Sequence, residues 1–251
     1  MSELLQKLES RRVGLALSGG SVRGIAHIGV IKALAEAGIR PQIVAGTSVG
    51  SLVGAGLASG MTWQDLAQMA REVFWPSLLH GPTIEEFCRQ RLPCRFEDLT
   101  LPFAAVATGL PSKKPVTLTS GYLASAINAS CALPVRRPVM REGQKLMDGG
   151  VAGVLPVLAC RELGADFVIA SDVWAFSAFL RVTGRNHLHP RGRRRYPKHY
   201  LQAAISADLL IHPAIRLDSY LPVPASIERM IASGERAARR ALLHLVFQPA
   251  A

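Results

Sequence analysis

At 251 residues and 49% apolar, the chain can bury a full hydrophobic core, which excludes a disordered or fibrous protein. Its four cysteines (Cys88, Cys94, Cys131 and Cys160) show no Cys-x-x-Cys spacing, which argues against a thiolate metal site and for reduced thiols in a cytoplasmic setting. The net charge of +11 is uneven: Arg181, Arg185, Arg191, Arg193, Arg194, Arg195 and Lys198 form one tract without an acidic residue, and outside it 22 basic residues face 18 acidic ones.

Residues 1–12 read as a polar extension without the apolar core of a signal peptide. Val13 to Leu17 predicts a strand, Ser18 to Gly24 a glycine-rich turn, and Ile25 to Ala37 a helix closed by Gly38. A second strand, Ile43-Val44-Ala45, runs into Gly46-Thr47-Ser48-Val49-Gly50, and a helix follows from Ser48 to about Ala58. The stretch Ile43 to Gln64 is uncharged and on paper long enough to cross a bilayer, but its five glycines and five hydroxyl residues fit a buried turn and helix better. Thr62 predicts the N-cap of a helix reaching Phe74, and Thr83-Ile84-Glu85-Glu86 the capping signature of another. Strands are expected at Phe103 to Thr108 and Val116 to Leu118, and a helix from Tyr122 to Ser130 stopped near Pro134. Val139 to Met147 predicts a hairpin turning at Glu142-Gly143, followed by a helix from Leu155 to Leu163 and a buried strand from Phe167 to Ser171. Leu209 to Ile211 predicts a short strand and Ala225 to Leu245 a long amphipathic helix. Alternating strands and helices indicate an α/β fold with a mostly parallel sheet, in one domain spanning 13–251.

Gly46 to Gly50 has the form of a nucleophile elbow, in which a strained strand-to-helix turn exposes a serine hydroxyl, here Ser48. Acyl transfer also needs a base and oxyanion donors. The loop Ser18-Gly19-Gly20-Ser21-Val22-Arg23-Gly24 offers backbone amides at a helix start; it fails both the Walker A pattern and the Gly-x-Gly-x-x-Gly spacing, and by itself also fits a plain tight turn. None of the seven histidines sits in a purpose-built context, and His27 reads as a packed residue of the first helix. Asp148, at the end of an apolar strand and followed by Gly149-Gly150, is a candidate base, although Asp-Gly-Gly is also an ordinary turn.

Together these segments resemble the patatin-like phospholipase family, most of all its compact bacterial esterase-like members. Four blocks stand in the family's order: the glycine-rich loop ending in Arg23-Gly24, the elbow, Ala129-Ser130-Cys131-Ala132-Leu133-Pro134, and Asp148-Gly149-Gly150. The likeness runs from about Val13 to Gly234. It implies a three-layer α/β/α domain and a lipase or esterase that works through an acyl-enzyme, without cofactor or metal. By position, the resemblance makes Ser48 the nucleophile and Asp148 its base, with no catalytic histidine. It assigns the oxyanion hole to the amides of Gly19, Gly20 and Ser21, has Arg23 brace their loop, and gives Gly24, Gly46, Gly50, Gly149 and Gly150 supporting roles. Where the family often has Asp-Gly-Gly-Gly, this chain has Ser18 and, in the third glycine's place, Ser21, which narrows the hole and restricts the turn. A carboxylate of ordinary pKa near 3.9 is a poor base, so Asp148 is expected to be buried and within hydrogen-bond reach of Ser48 Oγ.

Two other readings of Ser48 stand beside this one: an α/β-hydrolase triad with Asp172 and His212, and a non-catalytic descendant that keeps the pocket for binding. The lipid or acyl-ester substrate suggests a partner for the tract Arg181 to Tyr200, namely an anionic membrane surface at the inner face, with Phe176, Phe179 and Leu180 dipping in. Nucleic acid is disfavoured, because only Tyr196 and Tyr200 offer stacking aromatics there. A solvated loop is the plain alternative.

Overall fold

A computed structural model describes residues 6, 8–72, 81–174, 196–215 and 223–247. Of the seven basic residues of the tract it therefore describes Lys198 alone; Arg181, Arg185, Arg191 and Arg193 to Arg195, like Phe176, Phe179 and Leu180, lie outside the described residues.

Among the described residues, eight strands form one sheet: β1 (Val13–Leu17), β2 (Ile43–Thr47), β3 (Phe103–Leu110), β4 (Lys114–Leu118), β5 (Val139–Arg141), β6 (Gln144–Asp148), β7 (Phe167–Ser171) and β8 (Leu209–Ile211). The centre is parallel, in the order β3-β2-β1-β7-β8. Its strands are near-continuous apolar runs because both of their faces are covered.

The far side of β3 is antiparallel and decides where the site forms. β3 pairs with β2 through residues 103–106, with β6 through 107–110, and with β4 through 105–109. Since β4 overlaps both other partners, it must occupy one edge of β3, while β2 and β6 share the opposite edge in tandem. β2 ends with Thr47 opposite Val106, and β6 ends with Asp148 opposite the next residue, Ala107. Two strands of opposite direction thus meet at their C-terminal ends. The β5–β6 hairpin turns at Glu142 (φ 49°) and Gly143 (φ 76°), where two positive φ angles match the twist of a two-residue turn.

Helices cover both faces. On one lie α1 (Ile25–Glu36), α2 (Val49–Ala58), α3 (Trp63–Glu72), α4 (Gly81–Arg91), α5 (Leu123–Ser130) and α8 (Pro224–Phe247). They pack on Leu15, Leu17, Val44, Phe103 and Ile169. On the other face, α6 (Val157–Glu162) and α7 (Lys198–Ser206) pack on Ala16, Ala45, Ala104, Val168 and Ala170. α1 and α8 touch backbone to backbone: a methyl group at Gly29 would lie 1.8 Å from Ile231 O, and one at Gly234 1.9 Å from Ala26 O.

The uncharged stretch 43–64 resolves into β2, the elbow and the ten-residue α2, and no helix among the described residues is long and apolar enough to cross a membrane. Thr62 and Asp65 cap α3 reciprocally. Thr83 is not an N-cap, because α4 starts two residues earlier; Glu85 and Glu86 instead bond one turn ahead, to Arg89 and Gln90. Tyr196 and Tyr200 are buried, stacked on each other and packed at an angle against Trp174, so they are not exposed stacking platforms. Of the polar N-terminal segment, Leu8 is buried in the core.

Candidate active site

Ser48 stands between β2 and α2 with φ 52° and ψ −127°. A non-glycine residue holds such a conformation only where its surroundings over-determine it. The turn is tight on both sides: a methyl group at Gly46 would lie 2.2 Å from Gly50 O, and one at Gly50 2.2 Å from Leu17 O. The Ser48 amide donates to Ser130 Oγ at 2.8 Å, and that hydroxyl donates to Val106 O at 2.6 Å. The third sequence block thereby ties the elbow to β3, a role that spacing alone does not reveal.

Asp148 ends β6 directly beyond Thr47. Its amide donates to Ala132 O at 2.7 Å, and its carbonyl accepts from Thr108 Oγ1 at 2.9 Å. The carboxylate is then aimed from two sides, with Ser48 Oγ donating to Oδ2 at 2.8 Å and the Gly150 amide donating to Oδ1 at 2.7 Å. Gly149 is needed for close approach, since a methyl group there would lie 2.1 Å from Val106 O. Both side chains are buried, Ser48 at 8% and Asp148 at 5% exposure. Burial raises the Asp148 carboxyl above the usual carboxylate range, against the Ser48 and Gly150 bonds and the charge of Arg136, which pull it down. Beside the pair, burial pushes the Cys131 thiol up to about 12, which keeps it protonated.

The glycine-rich loop is held from behind, carbonyl by carbonyl. His27 Nε2 donates to Ser18 O at 3.0 Å, Ser18 Oγ donates to Gly19 O at 3.0 Å, and Arg23 Nε donates to Gly20 O at 3.0 Å. The Arg23 guanidinium is fixed in turn by Val173 O at 2.8 Å and Trp174 O at 3.2 Å. A planar trans peptide points its N–H opposite its C=O, so each anchored carbonyl sets the direction of the next amide. The Gly19 amide donates to Val154 O at 2.9 Å, whereas the amides of Gly20 and Ser21 have no acceptor among the described residues. Ser21 holds a left-handed φ of 54°, the conformation that a third glycine would adopt freely. Val49, the first residue of α2, also has no intrahelical acceptor for its amide; as the residue after an elbow serine it is a donor that motif reading overlooked.

The triad alternative is not assembled. Asp172 and His212 do face each other, with Oδ2 and Nδ1 3.5 Å apart. However, they follow β7 and β8, two and three strands from β2, or about 10–14 Å at the usual strand spacing. Asp172 accepts instead from Tyr200 OH at 2.6 Å and Trp174 N at 2.8 Å. Among the described residues there is no group of three or more His, Cys, Asp or Glu side chains arranged to hold a metal.

A family model described as patatin-like phospholipase matches residues 15–161, a span that holds the loop, the elbow, Ser130 and Asp148. The chain belongs to the patatin-like phospholipase family. Lysophospholipase nte1 of Aspergillus fumigatus is 36% identical over 193 residues, which cover 68% of this chain and 12% of that protein. Patatin-like phospholipase domain-containing protein 7 of Rattus norvegicus is 32% identical over 195 residues, covering 68% and 14% respectively. This patatin-like chain thus corresponds to a small part of those much longer relatives. Among solved structures, VipD from Legionella pneumophila superposes with a TM-score of 0.58 over 93% of this chain and 67% of its own, at 14% identity. The type III effector protein ExoU superposes with a TM-score of 0.57 over 95% of this chain and 54% of its own, also at 14% identity. These two likenesses establish the patatin-like fold of the mixed, mostly parallel sheet.

Proposed function

We propose that this chain is a serine hydrolase of lipid carboxylic esters, working through a Ser48–Asp148 dyad and an acyl-enzyme. The observation that carries the reading is the 2.8 Å hydrogen bond from Ser48 Oγ to a buried carboxylate, made at a strained elbow beside amides without an acceptor among the described residues. Ser48 Oγ attacks the ester carbonyl carbon while its proton passes to Asp148 Oδ2. Gly20 and Ser21, together with Val49, donate to the oxyanion; Gly19, whose amide is engaged, is the fixed link of that loop. Collapse of the tetrahedral adduct breaks the ester C–O bond, and the alcohol leaves with the proton from Asp148. Water then attacks the acyl-enzyme with Asp148 again as base, and the fatty acid is released.

The names of the relatives support a phospholipid or lysophospholipid as the substrate class. An ester-bearing lipid lies in a membrane, and the tract Arg181 to Lys198 is the segment of this chain suited to an anionic surface on the cytoplasmic side. The whole of 13–251 then serves as one acyl hydrolase domain, with the packing of Leu8 drawing part of 1–12 into it.

The test is hydrolysis of p-nitrophenyl esters of graded chain length and of lysophosphatidylcholine by the parent chain, Ser48→Ala, Asp148→Asn and His212→Ala. Loss in the first two folded variants with retention in His212→Ala is expected. A parent chain inert on every ester would leave the fold as a binding module, and loss in His212→Ala with activity kept in Asp148→Asn would move the base to the other strand ends.

A further inference from the structure

Helix α8 carries four basic residues in its second half, and they divide by face. Arg239 is ion-paired with Glu36 and with Glu235, which also holds Lys32. Arg236, Arg240 and His244 recur every fourth residue and so share a different face. Neither Arg236 nor Arg240 has an ion-pair or hydrogen-bond partner among the described residues, and both are exposed. That face meets the end of β8, where His212, which burial keeps neutral beside Asp172, lines a cavity of about 260 Å³ together with Arg236, Arg240 and His244. No acidic side chain among the described residues lines it; its remaining walls are mainly apolar, from β8 and the alanines of α8.

Two guanidiniums without a counter-charge among the described residues, beside the imidazoles of His244 and of His212, which faces Asp172, make a receptor for a compact anion. Guanidinium matches phosphate oxygens in bidentate geometry, and a dianion gains more from such a wall than a monoanion. The volume lies below the ~300–1,000 Å³ usual for drug-sized ligands, so it suits a headgroup or a small phosphate ester. The helix that carries the two arginines is held in place by the close backbone contacts of Gly29 and Gly234 between α1 and α8.

From this juxtaposition we infer that the cavity between β8 and α8 binds a phosphomonoester dianion, borne by a lipid headgroup or by a small soluble molecule. The site is separate from Ser48 and stands whether or not the chain hydrolyses esters.

The test measures binding of glycerol 3-phosphate by calorimetry. It is run beside co-sedimentation with phosphatidylcholine vesicles carrying phosphatidic acid or, at matched surface charge, phosphatidylglycerol. The double variant Arg236→Gln/Arg240→Gln should bind the phosphomonoester probes about tenfold more weakly or worse. Arg239→Gln, which removes a charge from the neighbouring face, should bind like the parent, and the thermal unfolding of the double variant should match the parent's. Preference for phosphatidic acid over matched-charge phosphatidylglycerol assigns the site to a lipid headgroup. Binding of glycerol 3-phosphate without that preference assigns it to a soluble phosphate ester. If the parent binds neither probe, or if the double variant binds both as well as Arg239→Gln does, the inference is overturned.

Discussion

Two buried titratable groups near the elbow pull stability in opposite directions with pH. The Asp148 carboxyl lies above its ordinary value because burial disfavours the carboxylate, so the folded chain holds a proton that the unfolded chain releases. Its contribution to stability is greatest below pH ~3.9 and declines as pH rises through the raised value. Asp148→Asn keeps the shape and lifts that penalty, so it should abolish hydrolysis while leaving the thermal midpoint unchanged or raising it by roughly 2–4 °C. A fall in the midpoint would show that the carboxylate holds the elbow together rather than straining it. In the proposed mechanism hydrolysis needs the carboxylate, so kcat/KM should fall on the acid side through a single ionisation above the ordinary Asp range. His27 behaves the other way. Burial lowers it from 6.5 to about 4, and it stands neutral between Ser171 Oγ and Ser18 O. Its contribution is complete above pH ~6.5 and is lost as pH falls through about 4, a change of about 3 kcal/mol. Denaturant unfolding across that window should show the loss, and His27→Gln should flatten it.

Among the elements, local sequence rules recover what local physics determines. The C′ glycine Gly38 sits at φ 76°, the turn at Glu142-Gly143 forms, and strands β1, β2 and β7 fall where their apolar runs place them. The four motif blocks bring Ser48, Asp148 and the glycine-rich loop to one place, because each block carries its own turn geometry. Other features have no local signal. The tandem pairing of β2 and β6 on one edge of β3 depends on which strands compete for that edge. That Gly19 bonds to Val154 while Gly20 and Ser21 do not follows from carbonyls anchored by His27, Ser18 and Arg23, and motif reading credits all three amides alike. Helix α7 has no clear local signal, because its basic flank masks the buried face of Tyr200 and Ala203. The contact between α1 and α8 yields a sharp prediction at this scale. Gly234→Ala would force a methyl group against Ala26 O, within 1.9 Å, and backbone cannot yield as a side chain tip can. It should cost ~1–3 kcal/mol in denaturant unfolding, and an unchanged midpoint would mean that the two helices are not in that contact.

For the molecule as a whole, charge and chemistry occupy different places. The hydrogen-bonded Ser48–Asp148 pair lies at the meeting of two strand ends, the cavity lined by Arg236 and Arg240 lies at β8, and the tract Arg181 to Lys198 carries most of the net charge. If the tract holds the enzyme on anionic membranes, each charge contributes about 1 kcal/mol near the surface, and salt screens it. Replacing Arg191, Arg193, Arg194 and Arg195 with Gln should weaken binding to anionic vesicles on the order of a thousandfold at low salt, for all anionic lipids alike, and leave soluble-ester hydrolysis intact. Equal vesicle binding by that variant would make the tract a solvated segment. The central claim is the Ser48–Asp148 dyad, and the most direct measurement is the rate and position of covalent labelling by a p-nitrophenyl alkylphosphonate, read by peptide mass. The dyad predicts one adduct on Ser48, none in Ser48→Ala, labelling slowed at least about a hundredfold in Asp148→Asn, and an unaltered rate in His212→Ala. An adduct on another residue, or full-rate labelling of Asp148→Asn, would contradict it.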